Sequence, residues 1–363
     1  MKKYDERETL FSRISLEKGT KEYEEFYAKN PQYQKDDDSI RGVSFRDNLR
    51  KSDEFKKRFF PLTANNKLFI KNLHDLVENF EVKERQVIEH SFAKNLKEIG
   101  KYYGATDVGI MKLKDSSYYD YLGGLSEEVG LDTYGKKVKR TFNTAIVFTV
   151  KMDLEFMNRA PHFEELLTTE EAYLKVAQVG ARIAVYIKSL GYRAMFNHSE
   201  YYLAPLVPLA VDAGLGEIGI CNHLVTKEHG NNVRLGAVFT NLQVDYDQPI
   251  EYGLNDFCKI CSLCMMNCPS KSITHKERMV NGKRFFKFDD ASCFALWNNS
   301  GTDCGTCIQS CPFTQGVDLF KVNQMKDNPK MMKQIMEEYL EEFGRRNYTK
   351  KELSILNLED KDD

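Results

Sequence analysis

Residues 257–270 read FCKICSLCMMNCPS, and four cysteines in that stretch, Cys258, Cys261, Cys264 and Cys268, decide how the rest of the chain is read. Their spacing is C-x2-C-x2-C-x3-C-P, in which three cysteines wrap corners of one 4Fe–4S cube and the fourth reaches a neighbouring one. Such a pattern needs a returning set. The chain supplies it at 293–313, CFALWNNSGTDCGTCIQSCPF, with Cys293, Cys304, Cys307 and Cys311 followed by Pro312. The spacing assigns Cys258, Cys261, Cys264 and Cys311 to one cluster, and Cys268, Cys293, Cys304 and Cys307 to a second. A zinc ribbon has no use for a third cysteine two residues on, and a disulfide framework belongs to small secreted chains. Cys293 fits the pattern least, because ten residues separate it from Cys304.

Composition narrows the remaining possibilities. A chain of 363 residues can build two domains with ample core. Its 52 basic and 54 acidic residues leave no electrostatic case for a nucleic-acid partner. No apolar run approaches the roughly 18 residues of a membrane span. The opening MKKYDERETLFSR carries neither a hydrophobic signal core nor a twin-arginine signal, and nine cysteines suit a reducing compartment. The expectation is a cytoplasmic protein.

Residues 1–60 are polar with scattered aromatics, which predicts an arm lying on a domain surface and carrying no chemistry. An α+β domain is expected over 61–250, a cluster domain over 251–325, and a C-terminal helix and solvated tail over 326–363. Within the first domain, Val87, Phe92, Leu96 and Ile99 recur at helical spacing. TDVGIMKL, Thr144–Met152 and Val233–Val244 read as strands. Thr168 and Glu171 form a capping box that opens a helix with the buried stripe Val176, Gly180, Ile183 and Ile187, stopped at Gly191. Tyr173 then lies near the start of that helix. Gly214, Gly216 and Gly219 crowd GLGEIG, so backbone approaches something closely there, although the spacing is not the dinucleotide fingerprint. Met332, Ile335, Met336, Tyr339 and Phe343 share one face of a docking helix near 330–343. Cys221 reads as a small buried residue.

An ordered series of these segments resembles the cobalamin-dependent reductive dehalogenases. It comprises GATDVGI, AIVFTVKMD with a following APHF, Tyr173 ahead of SLGY, PLAVDAGLGEIG, NNVRLGAVFTNL, QPIEYGLNDFC and the second cysteine run, covering Lys94–Phe313. The resemblance implies a nitroreductase-like α+β core that holds base-off cobalamin, with a ferredoxin-like domain carrying two 4Fe–4S clusters beside it. In agreement, no D-x-H-x-x-G motif occurs. It implies Tyr173 as proton donor, Arg234 as its basic neighbour, Thr169 as the hydroxyl one turn earlier, and Asn197 as a polar pocket residue. Gly214, Leu215, Gly216, Glu217 and Thr240 map to corrin contacts.

The chemistry is coherent: the product carbon needs a proton, and a cation beside a tyrosine favours its phenolate. A small, possibly halogenated, organic substrate and an external low-potential donor such as a ferredoxin or flavodoxin would be the partners. Asn241 and Ile220 depart from the family pattern, which usually has aspartate and a basic residue there. Alternatives are an enzyme resembling epoxyqueuosine reductase, a reductase of an unhalogenated substrate, and an electron carrier. A carrier, however, has no need of some 190 residues ahead of the clusters.

Overall fold

The sheet at the centre of the first domain forms where the apolar runs predicted it. In a computed structural model that describes residues 4–43, 58–124, 134–199, 201–350, 353 and 355, helices α1 (Leu10–Ser15), α2 (Lys21–Lys29) and α3 (Pro31–Ile40) come first. They are followed by α4 (Pro61–Ala64), α5 (Asn66–Asn79), α6 (Ala93–Tyr102), β1 (Asp107–Lys112) and β2 (Thr144–Lys151). Next come α7 (Leu154–Met157), the long α8 (Phe163–Ser189), β3 (Ala194–Asn197) and α9 (Leu206–Asp212). Two short strands, β4 (Glu217–Ile218) and β5 (Leu224–Val225), precede β6 (Val233–Thr240).

The sheet runs β1-β2-β6-β3, antiparallel throughout. Helices cover both faces of β2, so all its residues but Lys151 are buried and it reads as continuously apolar. α8 lies on one face through Val176, Gly180, Ile183 and Ile187, against Phe148, Phe196 and Val238. Leu209 and Ala210 of α9, with Tyr118 and Tyr119, cover the other through Ala237 and Phe239. The architecture is α+β.

Two local readings need correction. α8 begins five residues before the supposed capping box, with His162 at its N-cap. Thr168 instead accepts the backbone N–H of Asp153 at 2.7 Å, and Glu171 pairs with Lys175. Tyr173 therefore sits well inside the helix. Upstream, Val87 is 97% exposed, because residues 83–89 lie outside any helix. The backbone N–H groups of Lys83 and Gln86 donate to the carbonyls of Lys188 and Leu190, capping the end of α8. Gly191 ends α8 as expected, with φ of 84°.

Beyond β6 the cysteines lie on short elements. α10 (Leu254–Cys261) and α11 (Leu263–Asn267) carry the first run. A hairpin, β7 (Ile273–Val280) with β8 (Lys283–Phe288), and α12 (Asp290–Ser300) separate it from the second. α13 (Thr306–Gln309) and α14 (Pro312–Gln315) bear or follow the last cysteines, then α15 (Leu319–Asn323) and α16 (Pro329–Phe343). The Met stripe of α16 is core, packing Met332, Ile335, Met336 and Tyr339 on Leu254, Phe257 and Cys261. The charged tail LNLEDKDD falls outside the described residues. Among the described residues no helix is long and apolar enough to cross a membrane.

The N-terminal arm is fastened at both ends of its first turn. Glu6 is 4% exposed and accepts the N–H of Gly123 at 2.6 Å, while Ser12 donates to the Gly123 carbonyl. Burial raises the Glu6 carboxyl from 4.5 to about 7. Because the folded state then holds the proton more tightly than the unfolded chain, stability present below pH 4.5 is lost as pH rises toward 7. Denaturant midpoints measured between pH 4.5 and 7 should fall, and Glu6→Gln should flatten this part of the slope.

Candidate functional site

The fold gathers the eight motif thiols into two groups. Cys258 faces Cys261 and Cys311, and Cys264 faces Cys258 and Cys311. Cys293 faces Cys304 and Cys268, and Cys307 faces all three of these. The ten-residue gap that made Cys293 atypical is occupied by α12 and a return through Gly301, at φ 69°. Cys221, 6% exposed, packs against Cys258, Cys264 and Cys307, between the groups, and takes a contact from the Asn231 amide at 3.5 Å.

None of the nine cysteines is in a disulfide. Burial pushes Cys261 up to about 11 and Cys293 and Cys311 up to about 12, and holds Cys258 and Cys307 well above the ordinary thiol value. Thiols so buried become thiolates only when a cationic centre compensates them. Among the described residues no three His, Cys, Asp or Glu side chains converge tightly enough for a single metal ion. Buried thiols set apart in fours suit the corners of a multi-iron cube.

The second half of the site descends from α8 and β6. Register pairs Arg234 with Val150, which puts its side chain on the α8 face of the sheet. Its guanidinium carbon lies 5.0 Å from the centroid of the half-buried Tyr173 ring. Nη2 donates to Thr169 Oγ1 at 2.9 Å, and that hydroxyl donates to Glu165 Oε1 at 2.9 Å. Thus Tyr173, Arg234 and Thr169 form one constellation. Asn197 does not join it. Paired with Ala237, it points to the opposite face of the sheet, where it accepts the N–H of Leu203 at 2.9 Å.

The sequence reading missed Glu165 and Asp303. Glu165 is 1% exposed, and its Oε2 finds no donor among the protein's fixed hydrogens. Asp303 stands opposite, 7% exposed, with its carboxyl pushed well above the ordinary range by burial and by Glu165. A proton held between the two acids satisfies both. Burial opposes the charge of Arg234, yet Tyr173, Glu165, Asp303 and Glu170 together hold its pKa above the ordinary value. Asp303 immediately precedes Cys304, so this network runs directly into the second thiol group. The available signal was GTDCG, an acid and a glycine around a cysteine.

The close approach expected at the GLGEIG glycines is present, and what approaches is the chain itself. A Cβ on Gly214 would meet the Gln248 carbonyl at 2.6 Å, and one on Gly216 the Val225 carbonyl at 2.2 Å. Leu215 is core. Glu217 accepts the backbone N–H groups of Tyr252 and Leu254 at 2.7 and 3.3 Å, capping α10, and Thr240 donates to the Arg193 carbonyl at 2.8 Å. All five expected corrin contacts are thus in use internally. Among the buried hydrogen-bonding atoms without a partner are Arg234 Nε, whose guanidinium lies over Tyr173, and Asn232 Oδ1. A cavity of about 620 Å³ opens elsewhere, near Lys188, His74 and Tyr201. Lys188 is 15 residues along α8 from Tyr173, about 22 Å.

A tetrachloroethene reductive dehalogenase of Sulfurospirillum multivorans is 33% identical over 187 residues, 49% of this chain and 37% of the relative. One of Dehalobacter restrictus is 30% identical over 186 residues, 47% of this chain and 33% of the relative. Over about half of its length the chain is thus similar to reductive dehalogenases. It spans little more than a third of the length of these curated relatives. A catabolic reductive dehalogenase solved with 3-bromo-4-hydroxybenzoic acid superposes with a TM-score of 0.74 at 21% identity, covering 95% of this chain and 47% of that one, a likeness of fold. An epoxyqueuosine reductase of Lactococcus garvieae is 29% identical over 130 residues, 34% of this chain and 36% of the relative. No family model matches.

Within this site, Gly305 is the residue whose backbone permits the join. Its φ is 59°, and a Cβ there would meet Glu165 Cγ at 2.5 Å. Gly305→Ala should lower stability by about 1–3 kcal/mol, read as a shift of the denaturant midpoint.

Proposed function

We propose that this chain catalyses reductive dehalogenation, in which an organohalide takes two electrons and one proton and releases halide. What supports this is the similarity to reductive dehalogenases together with one contact, the Arg234 guanidinium over the Tyr173 ring, tied through Thr169 and Glu165 to the loop of Cys304. When bound, iron–sulfur clusters at the two thiol groups would supply low-potential electrons, and a corrin beside Tyr173 the reducing centre for the halogenated carbon.

The chain's own groups would do the rest. Tyr173, half-buried and reachable, donates the proton to carbon. Arg234 then faces the phenolate that remains, and its position is fixed by Thr169. Glu165 and Asp303 offset the guanidinium charge and retain one proton within the network. A small organic substrate and an external low-potential electron donor complete the reading.

The buried acids also motivate a second reading, a carboxyl-donor reductase of the epoxyqueuosine type. The enclosure of Glu165, at 1% exposed, disfavours it against the open phenol.

Two variants separate these readings. In anaerobically prepared protein supplied with cobalamin, Tyr173→Phe should keep iron and cobalt content while turnover of halogenated substrates falls by at least ~10²-fold. Full single-turnover rates in that variant, with Glu165→Gln inactive, would transfer the donor role to the carboxyl. Arg234→Gln should also depress turnover while leaving metal content in place.

A further inference from the structure

Among the described residues of the N-terminal arm, the buried Arg13 faces the helix that bears Cys293. Arg13 is 2% exposed. Its Nε and Nη2 donate to the two oxygens of Asp37, 0% exposed, at 2.8 and 3.0 Å. The same guanidinium reaches across to Asp290, Nη1 to Oδ2 at 3.1 Å and Nη2 to Oδ1 at 3.0 Å. Nη1 also donates to the Glu8 carbonyl at 2.8 Å, and the Tyr33 ring lies 4.3 Å from the guanidinium. Arginine suits this place because its planar fork can serve two carboxylates at once.

Asp290 is the first residue of α12, and Cys293 lies one helical turn further on. The arm grips the same turn through apolar contacts. Leu10, Ile14 and Ile40 pack on Ala291, Phe294 and Trp297, and Phe11 meets Phe294 edge-on at 5.5 Å. Cys304 and Cys307 are fixed by the tight loop under Glu165, and Cys268 by the end of α11. Cys293 stands on a separate helix between a hairpin and a turn, and the arm supplies that helix with its charged anchor.

We propose that the N-terminal arm is the positioning element for Cys293, with Arg13 bridging Asp37 to Asp290 so that occupancy of the second cysteine group depends on the arm. This rests on the iron–sulfur reading above. The Asp290 side chain is 38% exposed, so Asp290→Asn weakens the bridge to α12 and leaves the buried Arg13–Asp37 pair intact. Arg13→Gln breaks both arms of the bridge, and Arg13→Lys tests whether charge without the fork suffices.

The full chain would be loaded anaerobically with iron and sulfide, then followed by iron per chain, EPR and iron release to a chelator. Wild type should hold about eight irons. In Asp290→Asn, about half of the iron should leave at least ~10-fold faster, as when a partner that orients a metal ligand is lost. One EPR signal should fade while the other persists, and Arg13→Lys should restore little. A lower melting temperature with both signals and both release rates unchanged would overturn the proposal and leave the arm as packing alone. Wild-type protein that cannot take up a second cluster would overturn the cluster assignment itself, and this inference with it.

Discussion

The contact between Glu165 and the Cys304 loop is the constraint on which the rest of the site depends. It joins the first turns of the longest helix to the second cysteine run, and it does so with a buried carboxylate rather than with apolar surface. A buried carboxylate cannot stand alone. It takes a hydroxyl from Thr169, a shared proton with Asp303, and the field of Arg234, and each of these fixes a further residue. Tyr173 comes to lie beside a cation because that cation must balance acids deeper in the fold. The cysteine unit and the α+β domain thus form one electrostatic unit as well as one packing unit.

The second consequence concerns how the two thiol groups are supported. Cys258, Cys261, Cys264 and Cys311 sit beside a continuous apolar core built with α16, where Met332, Ile335 and Tyr339 close over Phe257 and Phe313. Cys268, Cys293, Cys304 and Cys307 draw on four separate neighbours: the end of α11, the hairpin, the arm and α8.

Local chemistry was legible in the sequence, and long-range placement was not. β2 and the centre of α8 followed from apolar runs and periodicity, because their burial is uniform along the element. The two cysteine runs were plain from their short spacers. The start of α8 was misplaced because Thr168 and Glu171 imitate a capping box, whereas Thr168 serves a loop fifteen residues earlier. Residues 83–89 carry a helical pattern but lie outside any helix, where the N–H groups of Lys83 and Gln86 cap α8. Glycines 214 and 216 announced a close approach without saying to what, and Asn197 fell on the wrong face by one residue of register. Glu165 and Asp303 lay beyond reach, since their meaning exists only once residues 138 positions apart are brought together.

Arg13 and Asp290 are separated by 277 residues, which sets an order of events during synthesis. The arm leaves the ribosome long before the helix it grips. Until then Leu10 and Ile14 lack Ala291, Phe294 and Trp297 to pack on, and Arg13 lacks the second carboxylate of its bridge. A segment made early is therefore placed late, once the helix bearing Cys293 has folded.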